Sequence, residues 1–154
     1  MLKRLSDFIA DVMGNSAAPD RFAENDHRLA AAALLVHAAA IDGNTARAEQ
    51  TRLKALLQGQ FNLNEKELDD LLVQAKARDA EAVDLYGFTS VLARALDQDG
   101  RKRIVAMLWE IVYADGEVHE FEDNLVWRVA ELLGVSTRDR MQMKRDTRRA
   151  RGVE

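Results

Sequence analysis

Apolar positions along the chain recur at intervals of three and four residues, the period of a helix with one buried face, and runs alternating with period two are scarce. The first such stripe passes through Leu5, Phe8, Ile9, Val12 and Met13 and stops near Gly14. The "GNSAAPDRFAEND" that follows gathers Gly, Asn, Ser, Pro and Asp and predicts a loop. An amphipathic helix and loop are therefore expected over 1–25, and the main domain over 26–154. The phrase "DHRLAAAALLVHAAAI", Asp26 to Ile41, predicts an alanine-rich helix whose small side chains let neighbouring helices approach closely. It ends at Asp42-Gly43, where glycine can close a helix in the left-handed conformation without a Cβ clash.

A helix through Leu53, Leu56 and Leu57 comes next. Asn64 is placed to cap the one after it, with Glu67 three positions on completing a capping box. Leu85, Phe88, Val91, Leu92 and Leu96 share a helical face, although Gly87 weakens that helix near its start, and "DQDG" at Asp97 to Gly100 is expected to break the chain. From Arg101, a wide stripe of Ile104, Val105, Leu108, Trp109 and Val112 leads to Asp115-Gly116. Phe121, Leu125, Val126, Val129 and Leu133 form the next stripe, closed by Gly134, and Ser136 and Asp139 are placed as caps of a final helix. With Pro19 the sole proline, the pattern predicts an all-α, compact bundle of about seven to eight helices.

One phrase is written twice. "AIDGNTARAEQ" (Ala40 to Gln50) and "YADGEVHEFED" (Tyr113 to Asp123) share D-G-x5-E, so that Asp42, Gly43 and Glu49 fall on Asp115, Gly116 and Glu122. On both sides a helix reaches D-G, a second helix follows and a capped third comes after. The simplest account is an internal duplication with pseudo-twofold packing around a shared core.

The spacing invites comparison with a calcium loop, which places an acid at its fifth position, Gly at its sixth and Glu at its twelfth. Its first and third positions would here be Ala38 and Ala40, or Ile111 and Tyr113, none of which offers a side-chain carboxylate. "DQDG" fails as well, with Ala95 first and Ala106 twelfth. Neither phrase is an EF-hand. Two readings stay open. In the local one, Asp-Gly ends a helix and Glu49 or Glu122 sits in the first turn of the next, stabilised by free backbone N–H groups and the helix dipole. In the other, pseudo-twofold packing pools Asp42, Glu49, Asp115 and Glu122, with Glu117 and Glu120 nearby, into an all-oxygen cluster that needs a hard cation or basic side chains to offset its charge.

Composition narrows the classes. A chain of 154 residues with 47% hydrophobic and 31% charged residues suits one soluble domain able to bury a core of its own. Without cysteine, there is no disulfide, thiolate metal site or cysteine nucleophile. The start "MLKRLSDFIADVMG" carries Asp7 and Asp11 within its apolar stretch and lacks a convincing cleavage pattern, so a cytoplasmic location is expected. From Arg138 to Glu154, seven basic residues face three acidic ones, a local +4 that leaves −8 for the preceding part of a chain of net charge −4. The basic tail complements the dipole of the last helix, and the acidic body argues against nucleic acid. His27, His37 and His119 have no paired zinc spacing, and His37 is expected to pack within its own helix, whereas His119 is placed to cap a helix or join the acidic cluster. No nucleophile elbow, P-loop or dinucleotide fingerprint occurs. Trp109 and Trp127 are expected in the core or between helices.

The phrases "AAAALLVHAAAIDG", "LLQGQFNLNEKELDDLL", "DLYGFTSVLARAL" and "LWEIVYADGEVHEFEDNLVWRVAELLGVS" resemble the TerB-like family, named from bacterial tellurite-resistance proteins, from about Arg28 to Met141. The resemblance implies an all-helical fold with internal duplication, a metal site at the acidic D-G turns and no established enzymatic activity. It also implies an adaptor role, because relatives occur fused to DnaJ-type chaperone modules. This chain departs from the pattern in its first copy, where Asn44, Ala46 and Arg47 stand opposite Glu117, His119 and Glu120. A site built this way is weighted toward the second turn, with Arg47 as an alternative source of neutralising charge. Lacking thiols, the chain cannot reduce or trap tellurite by cysteine chemistry.

The expected function is a non-enzymatic binding or adaptor module linked to tellurite or general stress response. Its expected cofactor is a divalent cation, Ca2+ or Mg2+, held by Asp42, Glu49, Asp115, Glu117 and Glu122. The alternative is a metal-dependent, hydrolase-like enzyme using the same carboxylates. A protein partner is expected and nucleic acid is not. The N-terminal stripe, edged by Lys3 and Arg4, is expected to pack on its own bundle, with a membrane surface or a second copy of the chain as the other occupants weighed.

Overall fold

The computed structural model describes residues 22–41, 47–114 and 120–151. Seven helices lie among them: α1 (His27–Ala40), α2 (Arg47–Phe61), α3 (Glu65–Glu81), α4 (Tyr86–Ala95), α5 (Gln98–Val112), α6 (Glu120–Leu133) and α7 (Thr137–Ala150). There is no strand among the described residues, as the periodicity requires. The amphipathic stripe expected over the first fourteen positions lies outside them, as do Asp42 to Ala46 and Asp115 to His119.

Helix α1 forms the centre. Ten of its residues are buried, from Leu29 to Ala39, so it is apolar on nearly all sides, as suits a helix surrounded by others. It packs against α2, α3, α4 and α5. Ala31, Ala32, Ala33 and Ala39 are fully buried, and their methyl groups hold the surrounding helices at short range where larger side chains would push them apart. Asp26 starts the helix, accepting a hydrogen bond from the Arg28 backbone N–H at 2.8 Å. The Arg28 guanidinium folds back onto the same carboxylate, at 3.1 and 2.8 Å, and lies over the ring of buried Phe22. That side-chain bond is the main reason the Asp26 carboxyl titrates below its ordinary value.

The later joints follow local rules. Asn62 adopts a positive φ of 53° and Gly134 one of 73°, each closing a helix in the left-handed region. In both, the next residue's N–H turns back to the carbonyl five positions earlier, Leu63 to Gln58 at 3.3 Å and Val135 to Ala130 at 2.8 Å. Leu63 and Val135 are themselves buried. Asn64 then caps α3 with both arms of the capping box in place, and Ser136 caps α7 by accepting from the Asp139 N–H. The joint between α2 and α3 thus matches the one between α6 and α7. The packing preference of α1-α2-α3 is also that of α5-α6-α7: in each set the first helix packs most extensively on the third, less on the second, and the second touches the third least.

Three expectations need correction. The break expected at "DQDG" is confined to Leu96 and Asp97, between α4 and α5, and does not span the phrase: Asp97 is the cap of α5, accepting from the Gly100 N–H at 2.8 Å, so Gln98, Asp99 and Gly100 are its first turn. Trp109 is fully buried and its indole N–H donates to the Arg140 carbonyl at 3.2 Å, but Trp127 is 44% exposed. Phe121, expected on the buried stripe of α6, is 71% exposed, because the inward stripe of that helix begins at Glu122 and Leu125. No helix among the described residues is long and apolar enough to cross a membrane.

Candidate functional site at the helix corners

Glu49 and Glu122, the closing residues of the two D-G-x5-E phrases, are each only 1% exposed. Carboxylates are almost never buried to this degree without a partner, since removing the charge from water costs several kcal/mol. Neither is without a polar partner here. Each occupies the third position of its helix, Glu49 in α2 and Glu122 in α6, and so lies where the helix dipole favours negative charge. That position also belongs to the capping box, yet the residues three earlier are Ala46 and His119, which lack the Ser or Thr hydroxyl of the reciprocal pair. Glu120 is exposed at the start of α6, and Asp123 forms an ion pair with Lys144 of α7.

Asp42, Asp115 and Glu117 lie outside the described residues, and so do His119 and the side chain of Arg47. Among the described residues, no group of three or more His, Asp or Glu side chains is placed to hold a metal ion. Of the expected ligands, then, Glu49 and Glu122 are those whose placement is seen. As hard oxygen donors they match the chemistry of Ca2+ or Mg2+.

The flanks of the two corners meet. Arg52, three residues beyond Glu49, donates from Nε at 3.0 Å and from a terminal nitrogen at 2.6 Å to Glu110 in the last turn of α5, five residues before Asp115. Arg151, just past α7, reaches the same oxygen at 3.4 Å. On another side, Ile41, the last described residue before the first corner, lines a pocket of about 240 Å³ with Phe121, Asn124 and Leu125 from the opening turns of α6. Residues adjoining both corners are thereby tied to one another through α2-α5 and through α1-α6.

His37 also lines this pocket, which corrects the expectation that it packs within its own helix. Its Nδ1 lies 2.9 Å from Asp79 Oδ1 of α3; with the carboxylate ionised, Nδ1–H donates and the ring is held in one orientation. The sequence offered no signal for this pair, because the two residues stand 42 positions apart.

A family model described as tellurite resistance protein TerB matches residues 28–145. That span runs from the first turn of α1 into the second half of α7 and includes both acidic phrases. Comparison with curated proteins and with solved structures finds no match. The family match covers most of the chain and agrees with its all-helical architecture, and on it the chain belongs to the TerB family of tellurite-resistance proteins.

Proposed function

We propose that this TerB-family chain is a non-enzymatic binding module of tellurite or general stress response whose two acidic corners together hold one divalent cation, Ca2+ or Mg2+. The observation that carries the reading is the matched burial of Glu49 and Glu122, each 1% exposed at the closing position of its phrase. The helix dipole stabilises a capping carboxylate that stays at the surface, whereas burial to this degree suits a ligand whose lost hydration is offset by protein groups and a cation together. The Arg52–Glu110 bridge and the pocket shared by Ile41 and Phe121 support it, since both bring neighbours of one corner to neighbours of the other. The ligands in this reading are Asp42, Glu49, Asp115, Glu117 and Glu122, with the three helices on either side related by duplication.

The adaptor side of the reading draws on the surface. Phe121, Leu132 and Tyr86 are large apolar residues left 71%, 40% and 65% exposed, and Trp127 adds an aromatic edge. Exposed aromatic side chains are enriched where proteins bind one another.

Calorimetric titration of chelator-treated protein with Ca2+, Mg2+, Mn2+ and Zn2+ tests the proposal. The expected result is binding of one hard cation per chain, abolished by Asp115→Ala, without turnover across a panel of hydrolase substrates. Absence of heat with every ion removes the cation; turnover that depends on the bound ion replaces the module with an enzyme using the same carboxylates.

A further inference from the structure

We propose that the pocket between α1, α4 and α6 is a binding site for a small organic carboxylate carrying an apolar body. Its walls are apolar, built by Ile41, Leu85 and Leu125 with the exposed ring of Phe121 at the edge. Its polar groups are Arg128, Asn124 and His37, and among the described residues no acidic side chain lines it. Arg128 makes no hydrogen bond or ion pair among the described residues, in contrast to Arg28, Arg52 and Arg151, which all reach a carboxylate. A guanidinium beside an apolar wall is suited to a carboxylate, which it can grip through two parallel N–H bonds. His37 adds a second group. Asp79 holds its Nδ1, which leaves Nε2 as the ring nitrogen for a ligand, accepting when the ring is neutral and donating when it is protonated. The amide of Asn124 supplies a neutral donor and acceptor.

Size limits the ligand. At about 240 Å³ the space is smaller than the ~300–1,000 Å³ of sites for drug-sized molecules, so a small acid matches it better than a nucleotide or a long acyl chain. An inorganic anion would leave the walls of Ile41, Leu85 and Leu125 uncovered, and a metal cation would meet Arg128. A carboxylate with one aromatic or branched aliphatic group satisfies both halves. The same chemistry is offered by a free small acid and by the C-terminal residue of a polypeptide.

Two probes separate those sources: 3-phenylpropanoate for the free acid and N-acetyl-leucine for a chain end. Each is titrated into the 154-residue protein and followed by amide chemical shifts, with 3-phenylpropanol and N-acetyl-leucine amide as uncharged controls. Saturable shifts at Leu125 and His37 with the acids but not the controls are expected, and the tighter acid assigns the source. Arg128→Met, at an exposed position that leaves the core intact, is expected to weaken binding by about tenfold, the loss of one charge-assisted contact. Asp79→Asn is expected to weaken it less, by freeing the imidazole. Absence of saturable shifts with either acid, equal binding of the controls, or affinity unchanged by Arg128→Met overturns the site.

Discussion

Replacing Glu122 by Gln, and separately Glu49 by Gln, distinguishes a cation site from a pair of helix caps through the sign of the effect on stability. The substitution keeps shape and removes charge at positions 1% exposed. In cation-free protein under the cation reading, each buried carboxylate bears a desolvation cost of several kcal/mol that its protein partner offsets only in part, so the variants should be no less stable than the parent. A cation present at 100 times its Kd stabilises the parent by about 2.7 kcal/mol. For a chain of this size, that corresponds to a rise in Tm of about 5–11 °C. Losing one ligand and tenfold to hundredfold in affinity cuts the gain to about 1.4–0.4 kcal/mol at the same concentration. If the two carboxylates serve only the helix N-termini, the outcome reverses: each variant loses about 0.3–1 kcal/mol with or without cation, and the parent does not respond to the ion. Thermal unfolding followed by far-ultraviolet circular dichroism, in chelator and in excess Ca2+ or Mg2+, reads both cases. A parent Tm indifferent to the ion, with both variants destabilised in chelator, would refute the shared cation site.

Gln74→Ala should lower stability by about 1–3 kcal/mol in urea unfolding, because the buried amide accepts from the Phe22 N–H at 3.3 Å and donates to the Phe22 carbonyl at 2.6 Å, and truncation strands both. Asn64→Ala should cost about 1 kcal/mol by the same measurement, through loss of the side-chain cap of α3. Ala33→Leu should cost about 1–3 kcal/mol, since Ala33 is fully buried at the centre of the bundle and the added carbons must displace a neighbouring helix. The Asp26 carboxyl is held below its ordinary value of 3.8, chiefly by Arg28; its stabilising contribution is therefore complete above that value and disappears as pH falls through the lower, folded one. The stability difference between the parent and Asp26→Asn should be constant at neutral pH and shrink in acid below about pH 4, and a difference that grows in acid would contradict this sign.

Much of the architecture was legible because it is decided by neighbours along the chain. Leu57, Leu92, Leu108 and Val129 lie in the core where helical periodicity puts them. Asn64 with Glu67, Gly134 and Ser136 mark joints whose hydrogen bonds close within a few residues. The doubled D-G-x5-E and the acid at its end were equally plain, and these determined the candidate ligands. The sequence could not say that Glu49 and Glu122 turn inward, because a charged residue in the first turn of a helix is as compatible with a solvated cap as with a buried ligand.

Only the tertiary structure decided which distant groups meet. Arg52 finds Glu110 across 58 positions, His37 finds Asp79 across 42 and Gln74 holds Phe22 across 52. Such pairings depend on how α1, α2, α3 and α5 are set against one another, and a one-dimensional pattern of apolar positions carries no record of that arrangement. The same cause left Phe121 and Trp127 at the surface: periodicity tells which residues share a face of α6, but the packed helices around it determine how far along and around that helix the cover extends. Secondary structure, caps and core thus follow from short-range spacing. The pocket and the meeting of the corner flanks follow from contacts that exist only once the bundle has closed.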